Sequence, residues 1–204
     1  MYRKLLTPWA WLPTKCVQAA MVRRAKGPPA NITSRGAERN SISNVDVIAT
    51  RGVLLDLARH HGIAHLAADH EITPQEVEAV AAAQGVAIGS GDAILFRTGF
   101  MQLWKRSPEE YDRAQPGVTL AVARWAGERE IVLLGADNSA VEIFPTQPAL
   151  PVHQEFIRDQ GGYLLELLYL DDLARDQVYE FMLVVAPLRI DRGLGSPINP
   201  IAMI

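Results

Sequence analysis

The sequence predicts an α/β domain, on three observations. Ala93-Ile94-Leu95-Phe96 and Ile131-Val132-Leu133-Leu134-Gly135 are wholly apolar, as strands covered on both faces are. Thr73-Pro74-Gln75-Glu76 reads as a helix start, with Thr73 as cap, Pro74 at the first helical position and Glu76 completing a capping box. Runs of these two kinds alternate from about residue 46 onward, separated by Gly, Pro and Asn.

In chain order, Val45–Thr50 is β-prone and leads into Arg51–Ala58, a strand followed by a short helix. The helix after Thr73 puts Val77, Val80 and Ala81 on one face, and Gly85 can end it. Gly89-Ser90-Gly91-Asp92 is a turn before the strand at 93–96, which runs into Arg97-Thr98-Gly99. Helix is expected over about Thr119–Gly127, strand over 131–135, and helix again over Val152–Gln160, ended by Gly161-Gly162. A short strand at Tyr163–Leu165, a helical turn at Asp171–Ala174, a strand over Val178–Val185 and a last strand in the Pro-rich tail complete the pattern.

The net charge of −3 over 204 residues hides an asymmetry. Residues 1–45 hold eight basic side chains and one acid, Glu38, a net of +7, which leaves −10 for 46–204. Pro8 and Pro13 interrupt the first segment and Gly27–Asn31 is a loop signal, so 1–45 reads as a poorly ordered basic arm and 46–204 as the folded domain. An acid-free stretch over 1–37 is also the composition of an organellar transit segment, although the prolines oppose an amphipathic helix. Pro and Trp break up the basic charge, so nucleic-acid binding has no fold signature. The single cysteine, Cys16, fits a reducing, cytoplasmic setting. No apolar run is long enough to span a bilayer. G-x-G-x-x-G and P-loop signatures are missing, which removes support for nucleotide binding.

Four of the five histidines, His60, His61, His65 and His70, crowd into one stretch. His61 and His65 are four apart, as in zincin helices, but no glutamate follows His61, and Gly62 weakens a helix there. A polar, solvent-facing connection accounts for the stretch equally well. His153 starts a helix after a Pro-containing loop, and Glu166 stands among Leu164, Leu165, Leu167 and Leu168. A carboxylate in that setting needs a partner, which a metal, a cation or a hydrogen-bond network would supply. The plainer alternative makes Glu166 a strand-edge residue and His153 a helix cap. Asp137 and Asn138 follow a strand, where α/β sites lie and where turns are also made. Arg97, at another strand end, could take a substrate carboxylate or a structural ion pair; Trp104 and Phe100 could wall a pocket or fill core.

Taken together and in order, several phrases resemble the cyclase family, which includes kynurenine formamidases and isatin hydrolases. They are Thr50–Asp56, Gly91-Asp92 with Phe96–Gly99, Gly135–Asn138 with Ala140–Glu142, Pro151–Gln154, Leu164–Glu166, Val178–Phe181, Ala186–Arg189 and Gly195–Ala202. The resemblance implies a mixed-sheet or barrel-like core flanked by helices, of the swivelling β/β/α type, assembled as dimers or tetramers. It implies hydrolysis of amide or formamide C–N bonds with zinc or manganese, with N-formylkynurenine in tryptophan catabolism as the best-known substrate type. His153 and Glu166 match the family's C-terminal metal ligands, while Arg97, Trp104, Asp137 and Asn138 are the candidate substrate-binding residues. The family's H-x-G-T-H-x-D-x-x-x-H motif, with most ligands and the catalytic histidine, is expected before Arg51, yet residues 1–50 contain no histidine. The catalytic group is therefore unassigned, and a truncated or misjoined hydrolase is expected. The alternative is a non-catalytic member acting as a binding or oligomeric partner.

Overall fold

A computed structural model describes residues 2–4, 32–33, 35–37, 41–146 and 150–204. The readings made for Pro8, Pro13, Cys16 and the Gly27–Asn31 loop lie outside these residues. In chain order the elements are β1 (Tyr2–Lys4), β2 (Ile32–Thr33), β3 (Gly36–Ala37), β4 (Ile48–Asp56), α1 (Leu57–His60), β5 (Glu71–Ile72) and α2 (Pro74–Gln84). Next come β6 (Ala93–Arg97), α3 (Leu103–Arg106), α4 (Pro108–Arg113), β7 (Gly117–Val118), α5 (Leu120–Glu128) and β8 (Leu133–Ala136). A π-helical segment (His153–Asp159), β9 (Tyr163–Leu165), α6 (Asp171–Arg175), β10 (Glu180–Val185) and β11 (Ile201–Met203) follow.

Among the described residues the main sheet has the order β1-β11-β10-β4-β6-β8-β9. β4, β6, β8 and β9 run parallel, and β10, β11 and β1 are added antiparallel, so the sheet is mixed as expected. Alternation along each parallel strand builds two cores. Val53, Leu55, Ile94, Phe96, Leu134 and Leu164 face α2, α5 and the π-helical segment. Leu54, Leu95, Leu133 and Leu165 point the other way, against Leu168, Leu173 and Phe181. Gly52 and Gly135 are needed here: a Cβ at Gly52 would lie 2.4 Å from the Phe181 ring, and one at Gly135 would lie 2.6 Å from Leu95.

The start of α2 is as predicted in part. The Thr73 hydroxyl accepts from the Glu76 N–H, and Gly85 closes the helix with φ 70°. The reciprocal half of the capping box is not what Glu76 does; its carboxylate turns to His61 and His70. The strand expected from Ile131 begins at Leu133, and the helix expected over 152–160 is wound as a π-helix. The helical stretch α3–α4 was not read from the sequence. Ile42 and Val45, at the end of the segment read as the arm, are buried and pack against Ile48 and Tyr163. No helix among the described residues is long and apolar enough to cross a membrane.

Candidate active site

Three parallel strands deliver their C-terminal ends to one region, the usual place for chemistry in an open α/β sheet. Thr98-Gly99 follows β6, Asp137-Asn138 follows β8 and Glu166 follows β9. A groove of about 810 Å³ opens near the opposite ends of β8 and β9, lined by residues such as Arg124, Glu128, Val132 and Tyr163. It contains no histidine, so the chemistry does not follow from cavity size.

Asp137 is fully buried and ties two of these turns together. The Thr98 N–H (2.8 Å), the Thr98 hydroxyl (2.5 Å) and the Gly99 N–H (2.8 Å) all donate to it. Burial pushes the carboxyl up to about 6, against the pull of those donors and of Arg97. Gly99 must be glycine: its φ is 77°, and a Cβ would meet the Ala64 carbonyl at 2.2 Å. Asn138, also fully buried, donates to the Pro116 carbonyl at 2.5 Å and accepts from the Val141 N–H at 2.7 Å. That bond fixes Val141 at φ 62° and delivers Glu142, next in the chain.

Glu142 is the residue the sequence reading left out of the site. It has no exposed surface. One oxygen accepts from the Val152 N–H at 3.0 Å; the other accepts from the His153 N–H at 3.1 Å and contacts His153 Nδ1 at 2.5 Å. The carboxylate thus caps the π-helical segment and orients its first side chain. The opposite ring nitrogen, Nε2, lies 3.2 Å from Glu166 Oε1. His153 is therefore held between two buried carboxylates. Burial alone would lower its pKa, but hydrogen bonds to Glu142 and Glu166 and their charges outweigh that and raise it to about 9.

An aromatic wall adjoins the pair through Leu167, the neighbour of Glu166, which packs with Phe100, Met101, Leu103 and Tyr111. Tyr111 stacks on Phe100 at 5.6 Å and meets the half-buried Trp104 edge-on at 5.2 Å. The Tyr111 hydroxyl is buried and has no hydrogen-bond partner. Burial and the nearby charges of Asp137, Asp112 and Glu166 push the phenol well above its ordinary range, so it stays protonated, a donor without an acceptor.

Of the residues singled out from the sequence, His153 and Glu166 come together, and Asp137 and Asn138 support the turns beside them. Arg97 turns to Asp56 at 3.0 Å and Asp171 at 2.9 Å, with two carboxylates on one guanidinium. Glu142 had a readable signal. It stands between Val141 and Ile143-Phe144, the same apolar setting that singled out Glu166.

The Cyclase family profile matches residues 27–143, starting inside the basic segment. A crystal structure described as a novel cyclase has a TM-score of 0.79 at 31% identity, covering 93% of this chain and 67% of that one. Isatin hydrolase from Roseibium aggregatum is 28% identical over 57% of this chain and 46% of its own length, so the chain spans about half the length of that curated relative. Isatin hydrolase A from Labrenzia aggregata, solved with benzyl benzoate, gives a TM-score of 0.65 at 24% identity, covering 81% of this chain and 65% of that one, which is a likeness of fold.

Proposed function

We propose, from the premise that this chain belongs to the cyclase family, that it takes part in metal-assisted hydrolysis of a C–N bond in a small aromatic amide, lactam or formamide. Membership itself rests on the profile match over more than half of the chain and on the 31%-identical cyclase structure. The observation that carries the activity is the Glu142–His153–Glu166 line, with contacts of 2.5 and 3.2 Å.

That line suits a divalent ion. A carboxylate on Nδ1 holds the imidazole in the tautomer that presents Nε2, the arrangement found behind metal-bound histidines. The 3.2 Å between Nε2 and Glu166 Oε1 is close to the roughly 3.3 Å between two ligands of a tetrahedral ion with bonds of about 2.0–2.1 Å. Zinc or manganese suits one imidazole and one carboxylate. His153 and Glu166 would hold the ion, with other ligands still to be supplied. Once bound, such an ion polarises a carbonyl and yields hydroxide near neutral pH. Glu142 keeps the Nδ1 proton and the ring orientation. The Tyr111 hydroxyl offers its unused proton to a substrate oxygen, and Phe100 and Trp104 flank an aromatic ring and exclude water. Asp137, Asn138 and Arg97 act as positioning residues through the turns they hold.

The test is hydrolysis of isatin and of N-formylkynurenine by the full chain loaded with Mn²⁺ or Zn²⁺. Turnover that falls at least about 100-fold in His153→Ala and Glu166→Gln supports the proposal. No turnover above the metal-only background overturns it for the isolated chain. A second reading, a non-catalytic partner subunit, is favoured by apolar exposure: Met182 and Met203, cross-strand neighbours on β10 and β11, are 48% and 46% exposed, with Leu188 and Leu194 beyond them. A chain that is silent alone but restores or modulates an intact relative's turnover on mixing would establish that reading. Sedimentation of the chain alone would test the expected dimer or tetramer.

A further inference from the structure

Away from the His153 line, three donor atoms converge at the solvent-facing start of α2. His61 Nε2 lies 2.6 Å from Glu76 Oε1, and His70 Nε2 lies 2.9 Å from the same oxygen. One ligand atom from each of the three residues falls within 4.8 Å of the others. We propose that His61, His70 and Glu76 form a second binding site, for a first-row divalent transition ion such as zinc. The proposal does not depend on the chemistry assigned to His153.

Five observations carry it. Each ligand sits on a fixed backbone. His61 caps α1, where its N–H donates to the Leu57 carbonyl at 3.0 Å. His70 directly precedes β5, its N–H donating to the Ala67 carbonyl at 3.0 Å. Glu76 is in the first turn of α2, its N–H held by Thr73. The donor set, two imidazoles and a carboxylate, is that of open zinc sites, and it disfavours Mg²⁺ and Ca²⁺, which take oxygen. The carboxylate leaves the capping-box bond its position offers and turns to the imidazoles instead. Separations of 2.6 and 2.9 Å need to open by less than about 1 Å to reach the ligand spacing of a tetrahedral ion, a side-chain adjustment. Side-chain exposures of 36% for His61, 29% for His70 and 14% for Glu76 leave an entry path and a fourth position for water.

The ion would clasp the 61–70 loop to α2. That loop lies over the β6 turn: the Leu66 N–H donates to the Thr98 carbonyl at 2.9 Å, and the Ala64 carbonyl closes on Gly99. Zinc would therefore stiffen the segment that holds Thr98 and Gly99 against Asp137.

The test uses the full chain freed of metal by chelator dialysis and titrated with Zn²⁺ and with Co²⁺ as a spectroscopic probe. One equivalent should bind in His153→Ala, where the His153 line is disabled, and its affinity should fall at least about 10-fold when His61→Gln, His70→Gln or Glu76→Gln is added to that variant. At about 100-fold excess over Kd, zinc should raise Tm by about 5–10 °C in His153→Ala and not in the His153→Ala/His70→Gln double variant. Equal binding by His153→Ala and that double variant, or no binding by His153→Ala, overturns the site and leaves a carboxylate bridged by two imidazoles. Should the variants misfold, long-range proton–nitrogen spectra of the wild type decide. Zinc-dependent shifts of both the His61 and His70 Nε2 resonances support the site, and unmoved resonances overturn it.

Discussion

Two histidine–glutamate clusters in this molecule use the same side chains to opposite ends. At His153 one imidazole lies between two buried carboxylates, with its backbone held as well. At Glu76 one carboxylate lies between two partly exposed imidazoles. In the first cluster water cannot replace a lost partner, so each group is structurally committed and the ring has one orientation. In the second, solvent can take over any single bond, so the arrangement is inexpensive to form and free to rearrange around an ion. Burial, rather than residue type, separates a pre-set site from an adaptable one.

The largest expected effect is the cost of removing the carboxylates. Glu142→Ala should cost about 3–5 kcal/mol in urea unfolding, because it strands His153 and the Val152 and His153 N–H groups. Glu76→Ala should cost less than about 1 kcal/mol in metal-free protein. Equal costs would break the comparison.

A smaller effect concerns pH. The Asp137 carboxyl is raised to about 6 by burial, above its ordinary value near 4 in an unfolded chain. Between these values the folded state keeps a proton that the unfolded state has released. Asp137 therefore makes stability fall as pH rises from about 4 to about 6, by up to about 3 kcal/mol, with no further change above. Relative to Asp137→Asn, which removes the titration, wild-type unfolding free energy should show that slope; parallel curves would refute it.

Smaller again is Tyr111→Phe. Its hydroxyl has no partner to lose, so stability should change by no more than about 1 kcal/mol, in the stabilising direction. If the hydroxyl donates to substrate, kcat/KM should still fall about 10-fold; a fall in stability with unchanged kcat/KM would make Tyr111 merely a core residue. The smallest effect is Arg129→Ala. Its single bond to exposed Glu78 and its place over Trp125 should together be worth about 1 kcal/mol or less by thermal unfolding.

Much of the fold was legible. Two-sided apolar runs marked β6 and β8, and Thr73, Pro74 and Gly85 marked α2, because each signal is local. The α3–α4 stretch was not legible: Trp104 and Tyr111 pack edge-on across a short turn whose sequence has no sustained period. His153 and Glu166 were singled out from their neighbours, and Glu142 could have been on the same grounds.

Partnership was beyond the sequence. His61 was weighed against His65 because four residues separate them, as on one helix face. In the structure α1 ends at His60; His65 meets Phe100 at 5.9 Å, and His61 finds His70 and Glu76 instead. Arg97 offered itself as a substrate clamp or as half of a structural ion pair, and the fold supplies it with Asp56 and Asp171 as partners. The sequence alone set the strands, the caps and the identity of the polar residues placed among apolar ones, since these depend on near neighbours and on the cost of burying charge. Which carboxylate meets which imidazole was decided by the tertiary structure, because those contacts join residues 11 and 13 positions apart at His153, and 15 and 6 apart at Glu76, through loops whose course only packing fixes.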